Sequence, residues 1–226
     1  EDYVGRGVIE AIGVGVDFKN GDLALRGNYA TLDEQGIITD RRAGRHIEKE
    51  DAHGIAEEIQ KKIQFSSPNT SVVVAPTIGH RVTIRIRSEK GLSSKITNTD
   101  PAYSNIGGMG VAKAVGDYLK IEKCLPLDES NEARLTSDIV NEFNTKSIDI
   151  MKQSQINTKR KEAKKKLLSC ILLRDAGNKY PDVIPINQKF SMNFSCIVDM
   201  PVELGISDVL KMKAYEAGGL TDYEEK

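Results

Sequence analysis

The sequence predicts an α/β (mixed α+β) domain in which a mixed sheet is flanked by helices. Three observations support this class: short β-branched segments, longer segments with apolar residues three and four apart, and the interleaving of the two kinds along 226 residues. A chain of this length is able to bury a substantial core. Because no internal repeat or low-complexity linker divides it, we treat 1–226 as a single domain.

The first half of the chain predicts a hairpin, a helix and two further strands. The strands are expected at 23–32, 37–39, 70–75 and 80–87, with a turn at 33–36. Apolar residues in 48–63 recur three and four apart, which is typical of a helix with one buried stripe. Residues in 80–87 alternate, so Arg85 and Arg87 are expected on the solvent face of their strand.

The second half is richer in helix. Helices are predicted at 110–119, 130–157 and 199–210. Residues 88–108 have the composition of a loop, and 168–173 predict a buried strand. The lysine-rich segment 159–166 contains Glu162 and no aromatic residue, so we interpret it as a solvated helix end rather than a nucleic-acid site.

The overall charge narrows the class of partner. The chain has 32 basic and 33 acidic residues and a formal net charge of −1, whereas nucleic-acid and membrane-surface proteins need a basic excess.

Three cysteines stand far apart, which suits a reducing cytoplasm. The longest apolar run is too short to span a bilayer. Because Glu1 is not a Met, we interpret it as a cut end, with proteolytic processing as the alternative.

The densest chemical signal is a cluster of arginines directly after the second predicted strand. Arg41, Arg42 and Arg45 lie within five residues, with Gly44 allowing a sharp turn. Guanidinium forks match phosphate and carboxylate oxygens, so the cluster predicts an anion site. The alternative is a set of surface ion pairs with the acids of helix 48–63.

Further candidates lie on or after the other strands. Arg26 and Asn28 are two residues apart on one predicted strand, so their side chains project from the same face of the sheet. This face either meets the arginine cluster or is the polar, solvent-exposed face of the sheet. His80 and Arg81 follow Gly79 in a loop, where His80 either contacts an anion or is a satisfied structural residue.

Two acidic residues complete the set of candidates. Asp100 precedes a proline and either caps a neighbouring backbone or binds a substrate hydroxyl. Arg174 and Asp175 directly follow a predicted buried strand. They either bind a ligand, as residues at the carboxyl ends of strands do in open α/β sheets, or form a buried ion pair with each other. No HExxH or GxSxG motif is present, and three histidines at these spacings do not build a metal centre unaided.

Several motifs carry a resemblance to a known family. They are Gly5-Arg6-Gly7, the segments 10–15, 22–32 and 37–45, Gly79-His80-Arg81, Thr99-Asp100-Pro101, and Arg174 with Ala176-Gly177. With these motifs the chain resembles the archaeal-type, 2,3-bisphosphoglycerate-independent (cofactor-independent) phosphoglycerate mutases. The resemblance spans nearly the whole chain and is densest in the first 45 residues.

The resemblance implies a cytoplasmic glycolytic isomerase of the alkaline-phosphatase-like superfamily, acting through a phosphoserine. It implies that this chain is the inserted central domain, with 1–21 and about 199–226 leading to a metal-binding domain of the same polypeptide. The serine nucleophile and two divalent metals (manganese or magnesium) would belong to that domain. No catalytic residue, metal ligand or cofactor is therefore expected in this chain, which alone is expected to be inactive.

The resemblance also implies that phosphoglycerate is the ligand. The expected substrate-binding residues are Arg26, Asn28, Arg41, Arg42, Arg45, His80, Arg81, Asp100, Arg174 and Asp175. The family commonly has glycine where this chain has Asp175, which puts the identity of the substrate in question. The alternatives are a domain of a related, homoserine-kinase-like phosphotransferase and a non-catalytic anion-binding module.

Overall fold

The structure is a computed structural model that describes residues 5–106, 109–113 and 119–216. Its helices are α1 (Arg6–Gly13), α2 (Lys49–Lys62), α3 (Asn131–Lys152), α4 (Gln155–Glu162), α5 (Ile186–Phe190) and α6 (Pro201–Val209). Its strands are β1 (Leu23–Leu32), β2 (Ile38–Asp40), β3 (Ser71–Pro76), β4 (Arg81–Arg87), β5 (Tyr103–Ile106), β6 (Met109–Ala112), β7 (Cys170–Gly177), β8 (Ser195–Val198) and β9 (Lys213–Glu216).

The main sheet is built around β1. Strand β4 pairs with one edge of β1 and β7 with the other, while β3 extends the sheet beyond β4 and β2 pairs with the end of β1. All five strands are antiparallel to their neighbours. The parallel pair β8–β9 and the hairpin β5–β6 stand apart from this sheet. The predicted α/β class, a sheet with flanking helices, is confirmed, but the main sheet is antiparallel and not mixed as predicted, since the parallel pairing is confined to β8–β9.

One face of the sheet packs on α2 and α3. Leu23, Leu25 and Tyr29 of β1 are buried there among apolar residues of both helices. The Tyr29 hydroxyl donates to the Ala52 carbonyl at 3.1 Å, which satisfies the one polar group that this large side chain takes into the core. Helix α3 begins where Ser130 accepts a hydrogen bond from the Ala133 amide.

The other face is covered at one end by α1, a helix that the glycine-rich start of the sequence did not predict. Gly7 is required in this helix because a Cβ there would lie 2.6 Å from the backbone oxygens of Ala24 and Asp175. Arg85 is buried, and its Nη1 donates to the Ser71 hydroxyl at 3.2 Å, so the prediction of a solvent face for Arg85 was wrong. Arg87 is partly exposed and binds Asp22.

The predicted helix at 130–157 is two helices. The first ends at Lys152, and Ser154 begins α4 by accepting from the Ile156 amide. The Asn157 side chain then fixes the break, because its amide donates to the Met151 and Leu168 carbonyls at 2.8 Å.

The basic segment 159–166 was predicted to be solvated, but it is not wholly so. Arg160 is buried, and its Nη1 lies 2.9 Å from Glu48 Oε2 and 2.5 Å from Asp51 Oδ2. The segment predicted as a helix at 110–119 contains β6 instead, and 114–118 lie outside the described residues. None of the helices in the described part of the chain combines the length and apolar character that a bilayer crossing requires.

Candidate anion-binding site

The candidate site lies on the face of the sheet that α1 covers, beyond the end of that cover. In the register of the sheet, Arg26 of β1 is opposite Arg174 of β7, and Asn28 is opposite Arg81 of β4. Directly opposed residues in a sheet project to the same face. Four of the predicted residues are therefore gathered from three separate strands by pairing alone.

A β-bulge in β7 adds a carboxylate to this face. Between the pairs Ala24–Gly177 and Arg26–Arg174, β7 has one more residue than β1. The bulged residue Asp175 has a φ of 59°, a left-handed conformation that aspartate tolerates better than most residues with a side chain. The bulge places its carboxylate beside the guanidinium groups of Arg26 on β1 and of Arg174 on β7 itself.

The charged side chains of the site form a continuous chain of ion pairs, in which acids and arginines alternate. Glu10 of α1 begins it, with Oε1 2.7 Å from Arg26 Nε, and Arg26 Nη1 is 3.3 Å from Asp175 Oδ2. The same oxygen is 3.7 Å from Arg174 Nε. The members of this ion-pair chain are, in order, Glu10, Arg26, Asp175, Arg174, Asp100 and Arg41.

Asp100 links the sheet to the loop after β2. Its fully buried carboxylate accepts from Arg41 Nη2 at 2.8 and 2.9 Å and from Arg174 Nη1 at 3.2 Å. It also accepts from the Ala102 amide at 3.1 Å, so the backbone cap proposed from the sequence is present. The backbone amides of Thr99 and Asp100 both donate to the Leu173 carbonyl, which fixes the carboxylate beside Arg174.

Asn28 and Tyr103 complete the inner part of the site. When the Asn28 amide is oriented to satisfy both neighbours, its oxygen accepts from Arg174 Nη1 at 3.3 Å and its nitrogen donates to the Gly27 carbonyl. The Tyr103 ring lies 4.8 Å from the guanidinium carbon of Arg174 and 5.6 Å from that of Arg41. Such contacts restrict the orientation of both guanidinium planes.

Glu10 and Tyr103 were missed by the sequence analysis. Glu10 carried a weak signal, since it is the single acid within an apolar stretch, and a buried acid needs a cation. Tyr103 carried none, because its contact with the arginines depends on how the segment after Asp100 turns back over β7.

The loop after β2 presents the other two arginines of the predicted cluster. The Asp40 carboxylate accepts from the amides of Arg42 and Gly44, which closes the turn. Arg42 and Arg45 are exposed, and no ion pair joins either of them to an acid within the described ranges. The alternative of surface pairs with α2 therefore does not describe this cluster.

His80 lies behind this loop. Gly79 is needed for the approach, since a Cβ there would lie 2.6 Å from the Arg45 carbonyl oxygen. Burial lowers the pKa of His80 to about 4, and the charges of Arg81, Arg42 and Arg174 act in the same direction. A backbone hydrogen bond with Arg45 opposes the shift. His80 is therefore neutral near pH 7 and lies in a positive electrostatic environment.

A small cavity of about 60 Å³ adjoins Arg26. Its walls are Arg6, Glu10, Arg26, Thr77, Arg81, Met200, Pro201 and Val202. Three guanidinium groups and one carboxylate line it, and the Nη1 of Arg81 contacts the Met200 sulfur at 3.5 Å rather than an acid. The cavity is therefore suited to an anionic group.

The structure thus brings most of the predicted residues together. A series of ion pairs and hydrogen bonds links six of them, His80 and Arg81 flank these, and Arg42 and Arg45 lie on the outer loop; the six are Arg26, Asn28, Arg41, Asp100, Arg174 and Asp175. Within the described ranges no group of three His, Cys, Asp or Glu residues is arranged to hold a metal ion, so the divalent metals implied by the resemblance do not fit this site.

Comparison with known proteins gives a consistent result. The model of the family described as 2,3-bisphosphoglycerate-independent phosphoglycerate mutase matches residues 1–157. A protein of that name from Methanobrevibacter smithii is 36% identical over 229 residues, covering 99% of this chain and 52% of its own length. One from Pyrobaculum aerophilum is 35% identical over 220 residues, covering 96% of this chain and 50% of its own length. The chain therefore spans about half the length of the curated relatives it matches.

Solved structures agree with the sequence comparison. The cofactor-independent phosphoglycerate mutase from Thermoplasma acidophilum superimposes with a TM-score of 0.66 at 28% identity, covering 99% of this chain and 55% of its own. A protein of Pyrococcus horikoshii, PH0037, gives a TM-score of 0.63 at 21% identity, which supports the fold alone.

Proposed function

The chain belongs to the 2,3-bisphosphoglycerate-independent phosphoglycerate mutase family, and on that premise we propose that it forms the substrate-binding part of such a mutase. The longer polypeptide would interconvert 3- and 2-phosphoglycerate through a phosphoserine. In this assignment the chain binds and orients phosphoglycerate, while the nucleophile and the two divalent metals belong to the rest of the polypeptide. Among the described residues no group of three His, Cys, Asp or Glu is arranged to hold a metal ion, and no step of the proposal runs through a metal.

The observation that carries the proposal is the convergence of arginines from distant parts of the chain. Arg26, Arg41 and Arg174 are joined through shared carboxylates on one face of the sheet. Phosphoglycerate has a phosphate and a carboxylate on three carbons, and guanidinium groups bind both kinds of oxygen through paired donors. A surface with several fixed guanidinium groups suits such a ligand.

The charge balance also favours an anionic ligand. The ion-pair chain contains three acids and three arginines, so it is neutral as a unit. Arg42, Arg45 and Arg81 lie around it without an acidic partner in the described part of the chain, which leaves a local positive excess. Fixed positive charge of this kind stabilises a phosphoryl group during transfer.

The strands β8 and β9 support a further domain as the partner. They form a two-stranded parallel sheet in which Ile197 and Tyr215 are largely exposed. Parallel strands are normally covered on both faces, and an isolated pair is marginally stable. We assign this unit, with 1–21 and about 199–226, to the junction with the metal-binding domain; 1–4 and 217–226 lie outside the described residues.

Without nucleophile and metals, this chain alone is expected to bind phosphoglycerate weakly and to catalyse nothing, because positioning leaves the main barrier in place. The test therefore uses the full-length polypeptide that contains it. Conversion of 3- to 2-phosphoglycerate is followed in a coupled assay for the parent and for variants Arg41→Ala and Arg42→Ala. We expect kcat/KM to fall roughly 10²-fold, as for loss of one charge-stabilising donor.

The matched control is Arg134→Ala, which removes an exposed arginine of α3 that pairs with Glu129, and it should leave the kinetics unchanged. A parent protein that is inert towards both phosphoglycerates would refute the mutase assignment. Phosphorylation of homoserine by that protein would instead support the related phosphotransferase. Parent-like kinetics of both arginine variants would refute the assigned site.

A further inference from the structure

Asp175 occupies an unusual position between two arginines of the site. One oxygen of its carboxylate, Oδ2, faces both Arg26 Nη1 at 3.3 Å and Arg174 Nε at 3.7 Å. The side chain is buried, and so are both arginines. This oxygen therefore lies where an oxygen of a bound phosphate or carboxylate would be expected, at the meeting point of two guanidinium groups.

The backbone does not favour an aspartate at this position. A φ of 59° is adopted by glycine at no steric cost, whereas a residue with a Cβ is strained there. The bulge is held by backbone packing, because the Asp175 carbonyl oxygen lies 2.6 Å from where a Cβ of Gly7 would be. The side chain is thus not needed to form the bulge, and its presence requires another explanation.

Electrostatics supplies that explanation. Burial lowers the pKa of Arg174, the positive charge of Arg26 lowers it further, and the carboxylates of Asp100 and Asp175 oppose both effects. Each arginine also has an acid of its own, since Glu10 is 2.7 Å from Arg26 and Asp100 is 3.2 Å from Arg174. Asp175 is the acid that the two arginines share.

We propose that Asp175 is an affinity-determining residue, an internal counter-ion whose carboxylate competes with an anionic oxygen of the ligand for Arg26 and Arg174. The inference rests on the proposed anion-binding function of the site. In the unliganded protein Asp175 is one of the three acids that together balance the charges of Arg26, Arg41 and Arg174. When the ligand binds, its oxygen takes over contacts with the guanidinium groups and is repelled by the carboxylate. Removing that carboxylate should therefore strengthen binding.

Two substitutions separate charge from backbone conformation. Asp175→Asn removes the charge and keeps a residue that tolerates a left-handed conformation, and Asp175→Gly removes the charge and relieves the strain. Asp182→Asn removes the same charge from an exposed position and is the control. Glu10 and Asp100 remain in both variants at the site, so each arginine keeps an acidic partner.

The experiment is isothermal titration of the full-length protein with 3-phosphoglycerate and, separately, with inorganic phosphate, together with KM and kcat for the mutase reaction. For both Asp175 variants we expect Kd for 3-phosphoglycerate to fall by roughly tenfold, the effect of about one pKa unit of interaction. KM should fall with it, whereas a merely structural role would raise KM and lower the melting temperature without any gain in binding.

Unchanged or weaker binding of 3-phosphoglycerate by both variants would overturn the inference. A gain in the glycine variant alone would also overturn it, because the effect would then come from relief of backbone strain. If the parent protein does not turn over 3-phosphoglycerate, the proposed function fails, and titration with inorganic phosphate still decides the inference: tighter binding by both variants supports it, and equal or weaker binding contradicts it.

Discussion

Arg41 donates from a single nitrogen, Nη2, to both carboxylate oxygens of Asp100, at 2.8 and 2.9 Å. The contact ties the loop after β2 to the segment that crosses the end of β7. Asp100 also accepts from Arg174. One fully buried carboxylate therefore sets the relative positions of two arginines that lie far apart in the sequence. The acids of this site are therefore as important to its geometry as its arginines.

Removal of the Asp100 charge should destabilise the protein. In Asp100→Asn, Arg41 loses its ionic partner and Arg174 keeps only the more distant carboxylate of Asp175. Breaking a buried pair by altering one partner costs about 3 kcal/mol. Urea unfolding of the full-length protein measures the change, with Asp149→Asn on the exposed side of α3 as control. Equal unfolding midpoints for the two variants would contradict the role assigned to Asp100.

Gly79→Ala should displace the loop that carries Arg42 and Arg45. The new Cβ would lie 2.6 Å from the Arg45 carbonyl and would be held at a φ of 61°. Gly36→Ala is the matched control, because its φ is 76° but nothing lies within 4 Å of the new Cβ.

The control should lose about 1 kcal/mol of stability from strain alone. We expect Gly79→Ala to lose more than this, and to bind phosphoglycerate more weakly in titration. Equal losses for the two glycine variants would show that the contact with Arg45 does not constrain the loop.

His80 should make the stability of the protein depend on pH. Its pKa is about 4 in the folded protein and 6.5 ordinarily, so between these values the unfolded chain binds more protons than the folded one. The contribution of neutral His80 is fully present above about pH 6.5 and is lost as the pH falls towards 4. Stability curves of His80→Gln and of the parent should therefore converge as the pH falls over this range.

The comparison variant for this measurement is His53→Gln, which removes a histidine from an exposed position. A parent-like pH dependence of His80→Gln would mean that His80 titrates normally in the folded protein.

Arg160 should contribute to stability, unlike the lysines beside it. Its guanidinium joins α4 to the start of α2 through Glu48 and Asp51, and its Nε donates to the Lys166 carbonyl at 2.8 Å. Arg160→Ala leaves Asp51 and the Lys166 carbonyl without this donor, although Glu48 keeps Lys165, and we expect a loss of about 2 kcal/mol in urea unfolding. Lys161→Ala, at an exposed neighbouring position, should change stability by less than about 0.5 kcal/mol.

The sequence was sufficient to predict much of the sheet. Strands β1 and β4 and helix α2 were predicted to within one or two residues, since alternation and helical periodicity are local properties of the chain. Helix α1 was not predicted, because the glycines that mark a loop in isolation serve here for close packing against β1 and β7. Arg85 was misplaced because alternation shows which residues share a face of a strand, whereas the tertiary structure decides whether that face is buried.

For the site, the sequence by itself determined the chemistry: an excess of guanidinium groups around β1, the loop after β2 and the end of β7. The tertiary structure decided the rest, because contacts between distant segments depend on strand register and on the bulge at Asp175. It placed Glu10 and Tyr103 in the site and showed that Arg41 and Arg174 share Asp100. Residue type fixes which groups attract one another, and only the folded chain fixes which of them meet.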